Sequence, residues 1–342
     1  MVERILLASP GGWDAPSARY RLGALATSAR WPVEAVSAGS LPRPDRIDQL
    51  LARADCSTAL VLQRVLPRPA DMRRLRSSFA GVIFDMDDAL YATPPSDSFS
   101  FAEGFKRAGR LAARGSPRSS RRRRPLIATL RQVDVAVVGN SVLADFARRF
   151  SSRVVEIPTT VRPVPQAPAR RPIRPVLAWM GLPDNMRHLN KIRRALEELF
   201  KDTDFTLRIV SSAPWECTAL PVEHILWSED ASRQALLTST LGLAPLSDDP
   251  WTRGKCALRS IQYGAHALPT IASPVGITKQ VVLHGTTGFL ARSEGDWINY
   301  LRSLISDPAL VTRMGAGALS HVRARYSDEI AVARWSEVIG SL

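Results

Sequence analysis

Cysteine is scarce: the 342 residues hold three, Cys56, Cys217 and Cys256, with no paired spacing. An odd, unpaired set excludes a disulfide framework and points to a reducing compartment. Long apolar runs are lacking as well. None approaches the ~20 residues that span a bilayer, and the opening MVERILLASP sets Glu3 and Arg4 before an apolar stretch too short for a secretory signal. The expected location is cytoplasmic, with peripheral attachment to the inner membrane face as an extension. The histidines, His188, His224, His266, His284 and His321, show no metal-ligand spacing with cysteine or carboxylate. Each reads as a structural polar residue, and no metal is expected. Neither a G-x-S-x-G elbow nor a Walker loop occurs.

Acid is absent from residues 104–131, GFKRAGRLAARGSPRSSRRRRPLIATLR, where ten Lys/Arg gather. The whole chain carries +14, so everything outside this segment carries only +4. Basicity is therefore local. Such a segment suits nucleic-acid phosphates, anionic lipid headgroups or an acidic substrate. The aromatic interleaving of single-strand platforms is missing, so nucleic acid is not the expected partner.

The length favours two domains. Nearly continuous apolar runs, RILLAS (4–9), TALVLQ (58–63), GVIFD (81–85) and VDVAVVG (133–139), predict strands of a parallel sheet covered on both faces. Helical patterns such as 43–54 and 141–150 lie between them. Residues 158–175 contain six prolines and no periodicity, which predicts an extended linker. Beyond it VLAWM (176–180), FTLRIV (205–210), LGLAPL (241–246), PTIA (269–272) and GFLA (288–291) repeat the alternation. Leu189, Ile192, Ala195, Leu196 and Leu199 mark one helix face. The prediction is an α/β chain of two parallel-sheet domains facing across a cleft, with ligands at the strands' carboxyl ends.

Several loops there carry polar residues. After the first strand, Gly11 and Gly12 form a tight turn, followed by Arg19 and Arg21 near the start of a helix, a place for an anion. Within 251–276, a helix read from Lys255 to about His266 puts Lys255, Arg259 and Gln262 on one stripe. Two cations four apart repel each other and oppose the helix dipole, penalties that reverse if a diphosphate lies beside them. Gly276, before Thr278 and Lys279, is a second glycine turn at a helix start. Asp248, Asp249 and Trp251 follow another strand, and Asn185 and Arg187 a fourth. The segment GVIFDMDDALY ends an apolar strand in Asp85, Asp87 and Asp88. Such a cluster serves as phosphatase nucleophile, as metal-binding D-x-D, as a helix N-cap, or as a substrate-orienting carboxylate at a strand end.

The run LGLAPLSDDPWTRGKCALRSIQYGAHALPTIASPVGITKQVVLHGTTGFLA resembles the donor-binding half of retaining nucleotide-sugar glycosyltransferases of the GT-B fold. Family 4, of the family 1-like bacterial group, is the nearest in pattern, with its Gly-Lys before the key helix. VDVAVVGNSVLADFARRF with VVEIPTTV resembles the end of that family's first domain, FDMDDALY its Asp-rich segment, and LRSLISDPALVTRMGAGALSHVRARYS its closing helices. The resemblance implies Rossmann-like domains at 1–160, for the acceptor, and at 176–327, for the nucleotide sugar. A linker at 161–175 joins them, and helix 328–342 crosses back. It implies retaining transfer without metal or cofactor, the nucleoside diphosphate sugar being substrate, in bacterial glycan, glycolipid or secondary-metabolite synthesis. Lys255 and Arg259 would stabilise the leaving diphosphate, and Asp87 and Asp88 would face the acceptor. Arg187, Gln262, Gly276, Thr278, Lys279 and Gln280 would hold the donor, and Gly11, Gly12, Arg19 and Arg21 would form the acceptor or phosphate loop.

The pattern departs from the family at four places. Its two glutamates fall on Gly254 and Gln262, a further one on Gln280, and the first basic phosphate position on Leu182, so the donor is left open. For a lipid-linked acceptor at an anionic surface, residues 104–124 become a membrane attachment; a small-molecule acceptor needs none. The alternatives are an Asp-nucleophile phosphatase using Asp85, and a catalytically degenerate nucleic-acid- or anion-binding protein on the same fold.

Overall fold

The computed structural model describes residues 2–27, 31–92, 118–165 and 172–342, without the side chains of 118–121. Most of the proposed attachment segment 104–124, and the middle of the linker, lie outside the described residues. Two six-stranded parallel sheets organise the chain. The first contains β1 (Arg4–Ser9), β2 (Val33–Ser37), β3 (Thr58–Gln63), β4 (Gly81–Met86), β5 (Val135–Val138) and β6 (Val154–Glu156), in the order β2-β1-β3-β4-β5-β6. The second contains β7 (Val176–Met180), β8 (Thr206–Ser211), β9 (Val222–Leu226), β10 (Leu241–Ala244), β11 (Thr270–Ala272) and β12 (Gly288–Leu290), in the order β12-β11-β10-β7-β8-β9.

Each order reverses once, between β1 and β3 in the first sheet and between β7 and β10 in the second. The loops leaving those strands part to opposite sides and open a crevice at the carboxyl ends. Pro10–Trp13 and Arg64 follow the first pair; Gly181–Arg187 and Pro245–Asp249 follow the second.

Central strands β3, β4, β5, β7 and β10 are buried along their whole length, the reason their sequences are uninterrupted apolar runs. The edges β2, β6 and β9 (VEAVS, VVE, VEHIL) are half exposed, and no apolar run marks them. The face predicted from Leu189 to Leu199 is buried throughout, but it is shared by two helices, Met186–Asn190 and Arg193–Phe200, with a turn at Lys191 and Ile192.

One face of the first sheet packs Leu60, Phe84 and Val138 against helices Pro44–Leu51, Pro69–Ser78, Arg118–Leu130 and Ser141–Ala147. The other face packs Ile5, Leu7 and Ile83 against helix Pro16–Thr27 and the last helix, Asp328–Ile339, which inserts Trp335. The chain's end is thus part of the first lobe's core. Val161 pairs with Ser327 where the two crossings meet. Among the described residues no helix is long and apolar enough to cross a membrane.

The deepest polar contact corrects two sequence expectations. Arg21, expected in an anion loop, is 2% exposed. Its Nη2 lies 2.5 Å from Asp85 Oδ1, its Nε 3.1 Å from the same oxygen, and its Nη1 donates to the carbonyl of Ile157. Asp85 is fully buried and also accepts from Gln63 Nε2 at 3.2 Å. An aspartate clamped this way cannot reach a phosphate ester, which removes the phosphatase reading. Asp85→Asn leaves a buried guanidinium unneutralised, and breaking such a pair costs about 3–5 kcal/mol. Urea denaturation at neutral pH should show a loss of that size.

Candidate active site

Arg259 lies on helix Leu258–Ala265, whose Ser260, Ile261 and Tyr263 are buried. The helix begins later than predicted, because Ala257 takes a left-handed conformation (φ 51°) at its N-cap. Lys255 therefore stands before the helix, not on one stripe with Arg259. The sequence Asp249-Pro250 starts a separate short helix, Pro250–Arg253, closed by a capping box between Asp249 and Thr252. The two helices leave Gly254–Ala257 as a connector.

Arg259 reaches the carboxyl end of β7. Its Nε donates to the Met180 carbonyl, and its guanidinium stacks 4.7 Å from the Trp179 ring centroid. A Cβ at Gly181 would come within 2.6 Å of its Nη2, so glycine is what lets it through. No carboxylate pairs with it among the described residues. Burial lowers its pKa. A part-buried guanidinium without a carboxylate partner is costly unless an anion completes it.

Around it stand further cations. Arg187 Nε is buried without a partner. Lys255 Nζ lies 5.7 Å from the Trp251 ring centroid and reaches across the cleft to Asp88 Oδ1 at 3.6 Å, its side chain 27% exposed. Neither Lys255 nor Arg259 points into bulk water.

His188, which the sequence marked as ordinary, sits at the centre of this group and is fully buried. Burial, then Arg187, Arg259 and Lys255, push its pKa down to about 3. Its Nδ1 accepts from the Ser247 N–H at 3.2 Å, so the proton is on Nε2, which is buried without a partner. The ring is a neutral donor.

The facing wall belongs to the first lobe. Asp87 and Asp88 follow β4, and Arg64 follows β3. Arg64 Nη1 is 3.2 Å from Asp88 Oδ2 and its Nε 3.9 Å from Asp87 Oδ1. Burial raises the Asp87 pKa; Arg64 opposes, while Asp88 and Asp85 add to the rise. Sequence patterning alone did not single out Arg64, although a charged residue directly after a central apolar strand was the available signal.

The lobes touch along Gly254–Cys256. Asn140 caps helix Ser141–Ala147 with its Oδ1 and donates its Nδ2 to the Gly254 carbonyl at 3.0 Å. The Cys256 thiol, its pKa pushed up to about 12 chiefly by burial, donates to the Asp87 carbonyl at 3.2 Å. Trp251 and Cys256 join the first lobe's core, and a Cβ at Gly254 would meet the Ala89 Cβ at 2.6 Å.

The other predicted residues are more dispersed. Gln262 donates to the Tyr20 hydroxyl at 2.7 Å, an interlobe bond in place of a free amide. Gly276 needs its positive φ of 54°, and a Cβ there would strike the Arg253 carbonyl. Thr278 is buried, whereas Lys279 and Gln280 are exposed. Gln280 lines a separate interlobe hollow of about 200 Å³ with Asn140, Glu156 and Arg334. Gly11 and Gly12 turn the chain out of β1, Gly12 at φ 59°. Arg19 bonds the carbonyls of Trp13 and Asp14 and lies 5.7 Å from the Trp227 ring centroid of the second lobe. Asp248 pairs with Arg253 at 2.5 Å.

This is the two-lobed GT-B arrangement, and solved structures share it. Sucrose-phosphate synthase from Thermosynechococcus elongatus superposes with a TM-score of 0.67 at 14% identity, over 99% of this chain and 98% of that one. HepE from Anabaena, solved with UDP and glucose, gives 0.64 at 12% identity, over 99% and 100%. A glycosyltransferase from Rickettsia africae gives 0.64 at 12%, over 99% and 98%. No protein-family model and no curated protein sequence matches the chain.

Two outcomes follow. His188 is neutral when folded and takes up a proton below pH 6.5 when unfolded. Stability should therefore hold above pH 6.5 and fall toward pH 3 by up to about 1.4 kcal/mol per pH unit from this group; His188→Gln should remove that part of the slope in denaturation series. Gly254→Ala should cost about 1–3 kcal/mol by overpacking, with recovery when Ala89→Gly is added, read by thermal unfolding.

Proposed function

We propose that the chain is a glycosyltransferase that moves a sugar from a nucleoside diphosphate to an acceptor hydroxyl with retention. The observation that carries this is Arg259: a part-buried cation with no carboxylate partner among the described residues, beside Arg187, His188 and Lys255 at the point where the second sheet's order reverses. A diphosphate supplies the missing charge there and accepts from the orphaned donors. Solved structures of the same fold support the donor class, HepE among them with its UDP and glucose.

In this reading the anomeric carbon–oxygen bond to the diphosphate breaks as negative charge builds on the departing oxygen. Lys255, Arg259 and Arg187 stabilise that charge, and His188 adds a neutral hydrogen bond that does not titrate near neutrality. The acceptor oxygen bonds the anomeric carbon on the same face, and its proton passes to the departing phosphate oxygen. Asp87 and Asp88 orient the acceptor hydroxyl from the opposite wall. No step calls on a metal or cofactor. Gly254 lies against Ala89, so the sugar rests on groups other than a side chain at that position. A lipid-linked acceptor would bring the basic segment 104–124 to an anionic surface; Arg123 and Arg124 are exposed on helix Arg118–Leu130.

A thermal-shift panel of nucleoside diphosphates and nucleotide sugars tests the reading. One of them should stabilise the wild type, by about 2.7 kcal/mol at a hundredfold excess over Kd. Lys255→Ala should weaken that response about tenfold or more. Arg259→Met keeps most of the stem and removes an unpaired charge, so the free protein should unfold no earlier while the ligand response disappears. No response to any ligand in the panel overturns the reading.

A further inference from the structure

Arg64 closes β3 where the first sheet's order reverses, with φ at 55°. A bulky residue held left-handed is strained, and persists only where its surroundings over-determine it. Here the surroundings are Asp88 and Asp87 together with Ser17 Oγ, 3.3 Å from Nη1. The backbone N–H of Arg64 also donates to the Asp85 carbonyl at 3.1 Å.

The fork nevertheless stays open. Arg64 Nε and Asp87 Oδ1 are both buried, 3.9 Å apart, and neither has a hydrogen-bond partner. Arg21, in the core, bonds Asp85 through both Nε and Nη2. Asp88 is also shared: Arg64 holds one oxygen and Lys255, from the other lobe, approaches the second at 3.6 Å.

We propose that Arg64 is a positioning residue: it pins Asp87 and Asp88 to the first lobe's wall, leaves one donor and one acceptor open for a hydroxyl, and holds Asp88 so that Lys255 can turn to an anion. The hydroxyl and the anion rest on the transfer reaction proposed above; the hold on the two carboxylates does not. Every charged group facing Asp87 enters the balance. Asp85 on β4 and Asp88 beside it disfavour its ionisation. Arg64 from β3 and Arg21 from helix Pro16–Thr27 favour it, with Ser17 donating a hydrogen bond and the Cys256 thiol remaining neutral. Without Arg64, Asp87 should take up its proton at higher pH.

The test is a carboxyl-carbon NMR titration of the full chain, with Asp87 assigned through Asp87→Asn. Arg64→Gln adds no backbone strain, since it exchanges one non-glycine side chain for another. Its Asp87 midpoint should rise by about one pH unit or more. Arg64→Lys keeps the charge and should return the midpoint most of the way. With the nucleotide sugar identified by the panel, the acid limb of kcat/KM should move with that midpoint, and kcat should fall about tenfold in Arg64→Gln. An Asp87 midpoint unmoved in Arg64→Gln overturns the proposal whether or not turnover occurs. If Arg64→Gln does not fold, Arg64→Met takes its place in the same titration: a raised Asp87 midpoint supports the proposal and an unmoved one overturns it. A panel in which nothing binds overturns the transfer reading separately, because the titration needs no ligand.

Discussion

The buried pair between Arg21 and Asp85 ties the first sheet to the helix laid over it and to the last helix. Asp85 anchors β4; Arg21 brings helix Pro16–Thr27 onto it and reaches the Ile157 carbonyl beyond β6. The carbonyl of Arg21 in turn accepts from Trp335 Nε1 at 3.1 Å, which seats the last helix. Gly139, at the end of β5, has no room for a Cβ between Arg21 Nη1 and Cys256 Sγ, so the second lobe docks against the same group. Isolated buried charges are costly, and only mutual neutralisation with near-complete hydrogen bonding makes this arrangement tenable.

That constraint divides the labour within FDMDD. Asp85 faces the core and is consumed by Arg21, while Asp87 and Asp88, past the strand's last paired residue, face the cleft. Strand alternation places Asp85 and Asp87 on one side of the pleat, but the strand ends between them. The three aspartates therefore divide into one consumed in the core and two held at the cleft wall.

The second lobe shows the reverse economy of charge. Arg187, Lys255 and Arg259 surround a neutral His188, and Lys255 finds its acidic neighbour, Asp88, on the other lobe. Closure along Gly254–Cys256 brings that neighbour within reach. The two walls are consequently coupled through Lys255 and Asp88, and glycines at 139 and 254 provide the close approach between lobes that this requires.

Much of the fold was legible in the sequence alone. The buried central strands announced themselves because both faces need apolar side chains; Lys255 and Arg259 stood out as cations four apart near a helix start, and Asp87 and Asp88 as acids ending an apolar strand. The edge strands β2, β6 and β9 could not, since half-solvated strands carry no distinctive run. Nor could the fates of Arg21 and Arg19, two residues apart: one is in the core and the other on the surface, a difference set by where β4 and β9 lie. The start of helix Leu258–Ala265 depended on the left-handed turn at Ala257, and the status of His188 on its burial and on three cations brought from two separate segments. Periodicity records which side of a strand or helix is dry; which charges then meet is decided by packing between elements distant along the chain.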